Sequence, residues 1–343
     1  MARIESTRTR PRRPAWALLL VLLSGAILTV GCNPDGSPNW PPSNGWPRPP
    51  WEPPPNVTVE ELAQGLELTV KESSPTQAEL RGGANSVMIF AGYTPRVFVN
   101  GQAVKSAGKI VPGKPGESLQ LAPEWVDAIA SRLTFSPPPP GGGVRPLPPA
   151  TSGPAIGTVL VDPGHGGRDP GAKSVYRQDE KTINLAVGTA VAAQLQAGNV
   201  RATLTRTTDQ TLLLQDRVAA ANRTTPGLFL AIHADAKTGP GGSLARGYTI
   251  IVPQRSSPES RAAADAIHAR LAPLCPAGRG VRTDVRGLHV LRETTCPAIL
   301  VELGFLTNPY EASLLGDPAY QDKLAQAIAQ GVVDHFTAKR RGR

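Results

Sequence analysis

From Ala155 onward, short β-branched and aliphatic runs alternate with longer segments whose apolar residues recur at helical spacing, which restricts that half of the chain to an α/β fold. Residues 158–161, 201–205, 228–232, 248–252, 287–291 and 298–301 read as strands. Helices are expected over 182–196, with an apolar stripe of Ile183, Leu185, Ala186, Val191 and Leu195, and over 212–222, 260–271 and 320–336. The expected architecture is a mostly parallel twisted sheet with helices on both faces. Functional groups should collect at the carboxyl ends of its strands.

A chain of 343 residues has room for one large domain or two modest ones with tails. Proline and glycine concentrate in blocks 33–55 and 136–156, which lack the periodicity needed to bury a core. Both read as extended linkers that hold folded units apart. Between them, residues 56–135 form a small α+β module. Strands are expected at 67–70, 86–90 and 96–99, and turns at Arg81-Gly82-Gly83 and Asn100-Gly101, the latter a tight hairpin. A helix after Pro123 would present Trp125, Ile129 and Leu133 on one face. The apolar strand, "VNG" hairpin and terminal helix resemble the copper-amine-oxidase N-terminal-like domain. That resemblance implies no copper and brings no catalytic residues, so spacer and wall-binding roles both stay open. Residues 157–338 form the second domain, and 339–343 a basic tail.

Residues 1–32 read as an export signal. A basic stretch with Arg3, Arg8, Arg10, Arg12 and Arg13 precedes an apolar run at 15–30 and Gly31-Cys32. The run, about sixteen residues, is shorter than the roughly twenty of a comfortable membrane span. The segment resembles a bacterial lipoprotein signal, which implies lipidation at Cys32 and a membrane tether in the cell envelope, the periplasm. Thr29 stands where leucine is usual and Leu28 lies one place early, so ordinary secretory cleavage and an uncleaved anchor remain rival readings. The net charge of +9 falls once the signal is removed, and no basic stripe with interleaved aromatics indicates nucleic-acid binding. The chain is expected to act as a monomer. Cys275 and Cys296 are left as an even pair. An exported protein could close them in a disulfide worth about 2–4 kcal/mol, and two separate buried thiols are the equal alternative. Neither has the spacing of a thiolate zinc site.

Four short segments carry most of the chemistry: Asp162-Pro-Gly-His-Gly-Gly167, Asp179-Glu-Lys-Thr-Ile-Asn-Leu185, Ala231-Ile-His-Ala-Asp235 and Val301-Glu-Leu-Gly-Phe-Leu-Thr-Asn308. His165 follows a buried strand in a glycine-rich turn suited to a tightly held ligand, although an incidental surface histidine fits the same pattern. Glu180 opens a helix, where favourable alignment with the helix dipole is the simpler reading. His233 emerges at the end of a buried strand, and Glu302 is a carboxylate embedded in an apolar run, where an unpaired charge costs several kcal/mol. Such burial raises a carboxyl pKa toward the range useful for proton transfer. Two imidazoles and a carboxylate are a frequent catalytic zinc set with a fourth position for water. His268 in a helix, His289 in a strand near a substrate groove, and His335 at the last helix end read as structural or surface groups.

At this point the runs "VLVDPGHGGRDPGA", "EKTINLAV", "LTR", "LQDRVAAAN", "LFLAIHADA", "GLHVLRETTCPAILVELGFLTNPYEASLL" and "AQAIAQGV", in this order over residues 158–336, closely resemble the zinc-dependent N-acetylmuramoyl-L-alanine amidases of the Amidase_3 type. The resemblance implies zinc (Zn2+) at His165, Glu180 and His233, and Glu302 as catalytic acid/base. It further implies hydrolysis, in peptidoglycan, of the amide between N-acetylmuramic acid and the first L-alanine of the stem. Ala231 and Asp235 stand where the family often has Ser and Asn, but neither position is a ligand. Division-associated members carry a long insert after the strand corresponding to 248–252, whose helix plugs the zinc site. Only 253–259 precede the next helix here, so no such plug is expected. The ligand set alone does not choose the bond, which leaves a zinc peptidase acting within the stem as a second reading. A noncatalytic wall-binding lipoprotein is a third.

Overall fold

The computed structural model describes residues 56–135, except position 93, and residues 154–342. The expected export signal with Cys32, the first proline-rich block and residues 136–153 of the second lie outside the described residues.

The module begins with β1 (Val57–Thr58) and α1 (Val59–Gly65), where Thr58 and Glu61 form a reciprocal capping box. There follow β2 (Thr69–Ser73), β3 (Gln77–Gly82), β4 (Asn85–Phe90), β5 (Arg96–Val99), β6 (Gln102–Val104), β7 (Ile110–Val111), β8 (Gln120–Leu121) and α2 (Pro123–Ala130). Strands β2 to β6 make an antiparallel meander in chain order, and β1, β8 and β7 pair beside it. Asn100-Gly101 does close the β5–β6 hairpin, both residues at positive φ. Alternate residues of β4 are buried, so one sheet face packs on Leu62, Leu66, Trp125, Val126 and Ile129 of the helical side.

The second domain contains β9 (Gly157–Pro163), α3 (Glu180–Ala197), β10 (Val200–Leu204), α4 (Leu214–Thr224), β11 (Leu228–Asp235), β12 (Thr249–Val252), α5 (Pro258–Leu271), β13 (Val281–Thr283), α6 (His289–Arg292), β14 (Ala298–Phe305), α7 (Pro309–Leu315) and α8 (Pro318–Arg341). The sheet order is β10-β9-β11-β14-β12-β13. The first four strands are parallel, β12 runs antiparallel to β14, and β13 runs with β12. The period of two sorts each strand onto two cores. Val159, Val161, Leu230, Ile232, Ile299 and Val301 pack under α3, α5 and α8, whereas Leu160, Phe229, Ala231 and Leu300 pack with Ala221 of α4 and Val290 and Leu291 of α6. Helices therefore cover both faces, as the alternating pattern requires.

Several expectations are corrected. Residues 287–291 are not a strand, because Leu288 opens the short helix α6 and His289 is its first residue; the edge strand is β13 instead. A short apolar run of that length fits either element until its partners are known. Lys339–Arg341 continue α8 rather than forming a separate tail, and their charges suit the carboxyl end of a helix. Cys275 and Cys296 are both free thiols. Cys275 packs against the core under α3, α5 and α8 and Cys296 against the core of the opposite face, so the sheet lies between them. Nor are the two folded units held apart: Leu244 of the second domain packs into the module's core, and Arg246 pairs with Glu67.

Candidate metal centre

β9 and β11 are neighbours, and Gly164 N donates to Ile232 O at 2.9 Å, so the turn after β9 is stitched beside the end of β11. His165 follows with φ 59°, a left-handed conformation that costs a non-glycine residue about 1–3 kcal/mol unless its surroundings hold it. They do. Arg217 Nη2 donates to His165 O at 2.7 Å, and the His165 ring meets Asp169 Oδ2 through Nδ1 at 2.7 Å. That pairing leaves Nε2 pointing inward, 3.2 Å from Glu180 Oε2. His233, two residues before the end of β11, lies with Nδ1 3.0 Å from Glu180 Oε1.

Glu180 is the first residue of α3 and only 4% exposed. Its Oε1 accepts from Asn184 Nδ2 at 3.0 Å and Ala234 N at 3.2 Å, and its Oε2 accepts from Ala172 N at 2.9 Å. Burial pushes its pKa up, but hydrogen bonds and charge from His165 and His233 outweigh burial and hold the carboxyl well below the usual range. For His165 burial lowers the pKa, whereas Glu180 and Asp169 raise it, with a net value of about 9. One donor atom from each of His165, Glu180 and His233 lies within 4.8 Å of the others. Two imidazoles and an ionised carboxylate, with the outer nitrogen of one imidazole paired to a second carboxylate, fit a zinc ion and its supporting shell. The rings of His165 and His233 stand edge to face, 4.9 Å between centroids.

The site is built on close approach. A Cβ on Gly164 would lie 2.1 Å from His233 Cε1, and one on Gly171, whose φ is +66°, 2.5 Å from Glu180 Oε2. Gly164→Ala is therefore expected to push the His233 ring aside and weaken zinc affinity at least about tenfold, measured by competition with a chromophoric chelator.

Glu302 lies directly across from His233 in the β11–β14 register, so the two side chains leave the same face of adjacent strands. It is 7% exposed, and burial raises its pKa to about 7 against the lowering influence of His233 and Arg286. Arg286 Nη2 stands 3.5 Å from Glu302 Oε1, with a half-exposed side chain. Asp284, only 4% exposed, fixes that arginine's loop by accepting from Arg286 N at 2.9 Å and Leu288 N at 2.6 Å.

All four residues singled out in the sequence thus converge. The other histidines do not: His268 Nδ1 meets Tyr248 OH at 2.6 Å, His335 is buried with Nε2 unpartnered, and His289 opens α6. Sequence reasoning missed the supports Asp169, Asn184, Arg206, Arg217 and Arg286. Asn184 alone had a legible signal, four residues after Glu180 on one helix.

The domain that carries this site matches a known family. Residues 159–334 match the N-acetylmuramoyl-L-alanine amidase family, Amidase_3. The chain belongs to that family. It is 36% identical over 187 residues to the N-acetylmuramoyl-L-alanine amidase LytC of Bacillus subtilis, covering 53% of this chain but only 36% of LytC. It is 31% identical over 218 residues to the amidase AmiA of Escherichia coli, covering 52% of this chain and 75% of AmiA. Among solved structures, an N-acetylmuramoyl-L-alanine amidase from Clostridium difficile 630 superposes with a TM-score of 0.50 at 32% identity, covering 53% of this chain and 97% of that one. The match begins after the module, which lies outside it.

Proposed function

We propose that His165, Glu180 and His233 hold a zinc ion, and that Glu302 moves the proton in hydrolysis of the bond between N-acetylmuramic acid and L-alanine in peptidoglycan. The observation that carries this reading is Glu302 placed opposite His233 in the strand register, beside the three-residue cluster. Bound zinc supplies Lewis acidity, polarising the substrate carbonyl and acidifying water. Glu302 accepts a proton from the attacking water and delivers it to the leaving amine of L-alanine, so carboxylate and acid forms alternate within one turnover. A pKa near 7 suits both halves of that exchange. Asp169 and Asn184 keep His165 and Glu180 oriented.

Mass spectrometry of digested peptidoglycan tests bond choice. Intact peptides beginning with L-alanine are expected, whereas trimmed stems would replace the amidase by a peptidase. Because β12 ends at Val252 and α5 starts at Pro258, the short connection supports activity of the zinc-loaded chain without a protein activator. Inactivity rescued only by a partner would overturn that. The signal-like residues 1–32, ending in Cys32, support action at the envelope on a lipid tether.

Glu302 accepts a proton only when ionised, so kcat/KM should rise with pH through about 7. Arg286 lowers the Glu302 pKa, so Arg286→Ala should move that acidic limb to higher pH. An unmoved limb would remove Arg286 from the tuning of Glu302.

A further inference from the structure

We propose that the N-terminal module is a working part of the hydrolytic site, clamping the two chain segments that directly follow the strands carrying His233 and Glu302; this rests on the zinc amidase reading above. Beyond β11 the chain runs through residues 236–247 to β12, and beyond β14 through residues 306–308 to α7. Both stretches leave the end of the sheet at which the four site residues gather.

The module grips the first stretch with a single carboxylate. Asp127 of α2 accepts from Gly241 N at 2.9 Å, Ser243 N at 3.4 Å and Ser243 Oγ at 2.7 Å. Leu244 packs into the module's core against Gly65, where a Cβ would come within 2.5 Å of it. The second stretch is gripped through Asn308, which is fully buried. Its Nδ2 donates to Gly65 O of the module at 2.8 Å and to Ser243 O at 2.9 Å, while its Oδ1 accepts from Tyr310 N and Glu311 N and so caps α7. Phe135 of the module stacks edge to face on Tyr310, 5.5 Å between centroids.

From these anchors the ties run inward. Glu311 accepts from Gly247 N and Phe305 N, both at 2.7 Å, joining the end of the loop to the end of β14. Leu306 N donates to Asp235 O at 2.8 Å, and Lys237 N to Thr307 Oγ1 at 3.2 Å. Glu302 lies three residues from Phe305 and His233 two from Asp235, so the carboxylate that moves the proton and a metal ligand both sit next to clamped backbone. The buried Asn308 amide, bonded through both its polar atoms, is costly to detach, and the half-buried Asp127 carboxylate accepts three further hydrogen bonds, which makes the docking specific rather than incidental contact. Asp127 and Asn308 act here as positioning residues.

The test compares the full chain with Asp127→Ala and Asp127→Asn by hydrogen exchange over residues 236–247, zinc affinity, and kcat and KM on a muramoyl-L-alanine peptide. Expected for Asp127→Ala are faster exchange over 236–247, a kcat lowered about tenfold or more, and KM and zinc affinity within about twofold, since small misplacements of reacting groups are felt in the chemical step. Asp127→Asn keeps an acceptor and should recover part of the lost kcat. Leu244→Ala, which detaches the loop from its apolar socket, should reproduce the pattern and stands in if Asp127→Ala fails to fold. Faster exchange with kcat within twofold of the parent overturns the proposal, as does unchanged exchange. If the parent itself cleaves no muramoyl–alanine bond, the activity reading fails, and exchange over 236–247 alone decides the clamp.

Discussion

Glu302→Gln should lower kcat on a muramoyl–alanine substrate by about 10²–10⁴-fold, the range over which a positioned acid/base contributes. The substitution keeps shape and removes only the ability to take and return a proton. Zinc content should stay at one ion per chain, because the three donor atoms come from His165, Glu180 and His233 and not from Glu302. KM should change little, since the loss falls on the chemical step rather than on substrate binding. The melting temperature should hold or rise slightly: a buried carboxylate with a raised pKa carries a desolvation cost that the amide avoids. An unchanged kcat would remove Glu302 from the mechanism, and loss of zinc would make it a ligand instead.

Arg217→Ala should have the largest effect on stability. Arg217 and Asp162 are almost wholly buried, and Nη1 lies 2.5 Å from Asp162 Oδ1 while also donating to Pro163 O at 2.9 Å. Asp162 Oδ2 has no hydrogen-bond partner and Oδ1 would keep only the Thr205 hydroxyl at 2.5 Å, so removing the guanidinium leaves a carboxylate without a countercharge in the interior. Breaking a buried pair in this way costs about 3–5 kcal/mol. For a domain of this size that corresponds to a fall in melting temperature of roughly 10 °C. The same arginine holds His165 O, so zinc affinity should fall in parallel, as His165 loses its grip on the left-handed conformation. Arg206, which donates to Pro163 O and Gly164 O at 2.9 Å, remains to support the turn and should keep the loss of zinc partial. Calorimetry with and without zinc checks both. A change below about 1 kcal/mol would show that water reaches Asp162 freely.

These two residues differ in how they could be found. Glu302 stands within an apolar strand run, where a carboxylate is out of place, so the sequence singles it out. Arg217 lies in a helix whose composition is otherwise ordinary. Its partners Asp162 and Pro163 are more than fifty residues away, and only packing of α4 on the sheet brings them together. Residues 287–291 failed for a related reason: a short segment with only three aliphatic residues, Leu288, Val290 and Leu291, takes its conformation from its neighbours, and β12 pairs with β13 rather than with that segment.

Local pattern therefore determined the alternating architecture and the two-sided core and singled out His233 and Glu302, because side-chain period and strand–helix order are properties of neighbouring residues; His165 and Glu180 were picked out by the family resemblance. Tertiary structure alone decided what holds them. The pairing of His165 and His233 with Glu180, the register that sets Glu302 opposite His233, the buried arginines behind the turn, and the separation of Cys275 from Cys296 all depend on which segments meet. The docking of the module belongs with these. Asp127 and Ser243 are 116 residues apart, and Asn308 and Gly65 are 243 apart, so no local rule marks either pair. The proline-rich block between the units predicted separation, yet a linker's stiffness does not prevent docking when the faces it joins carry satisfied polar groups and an apolar socket.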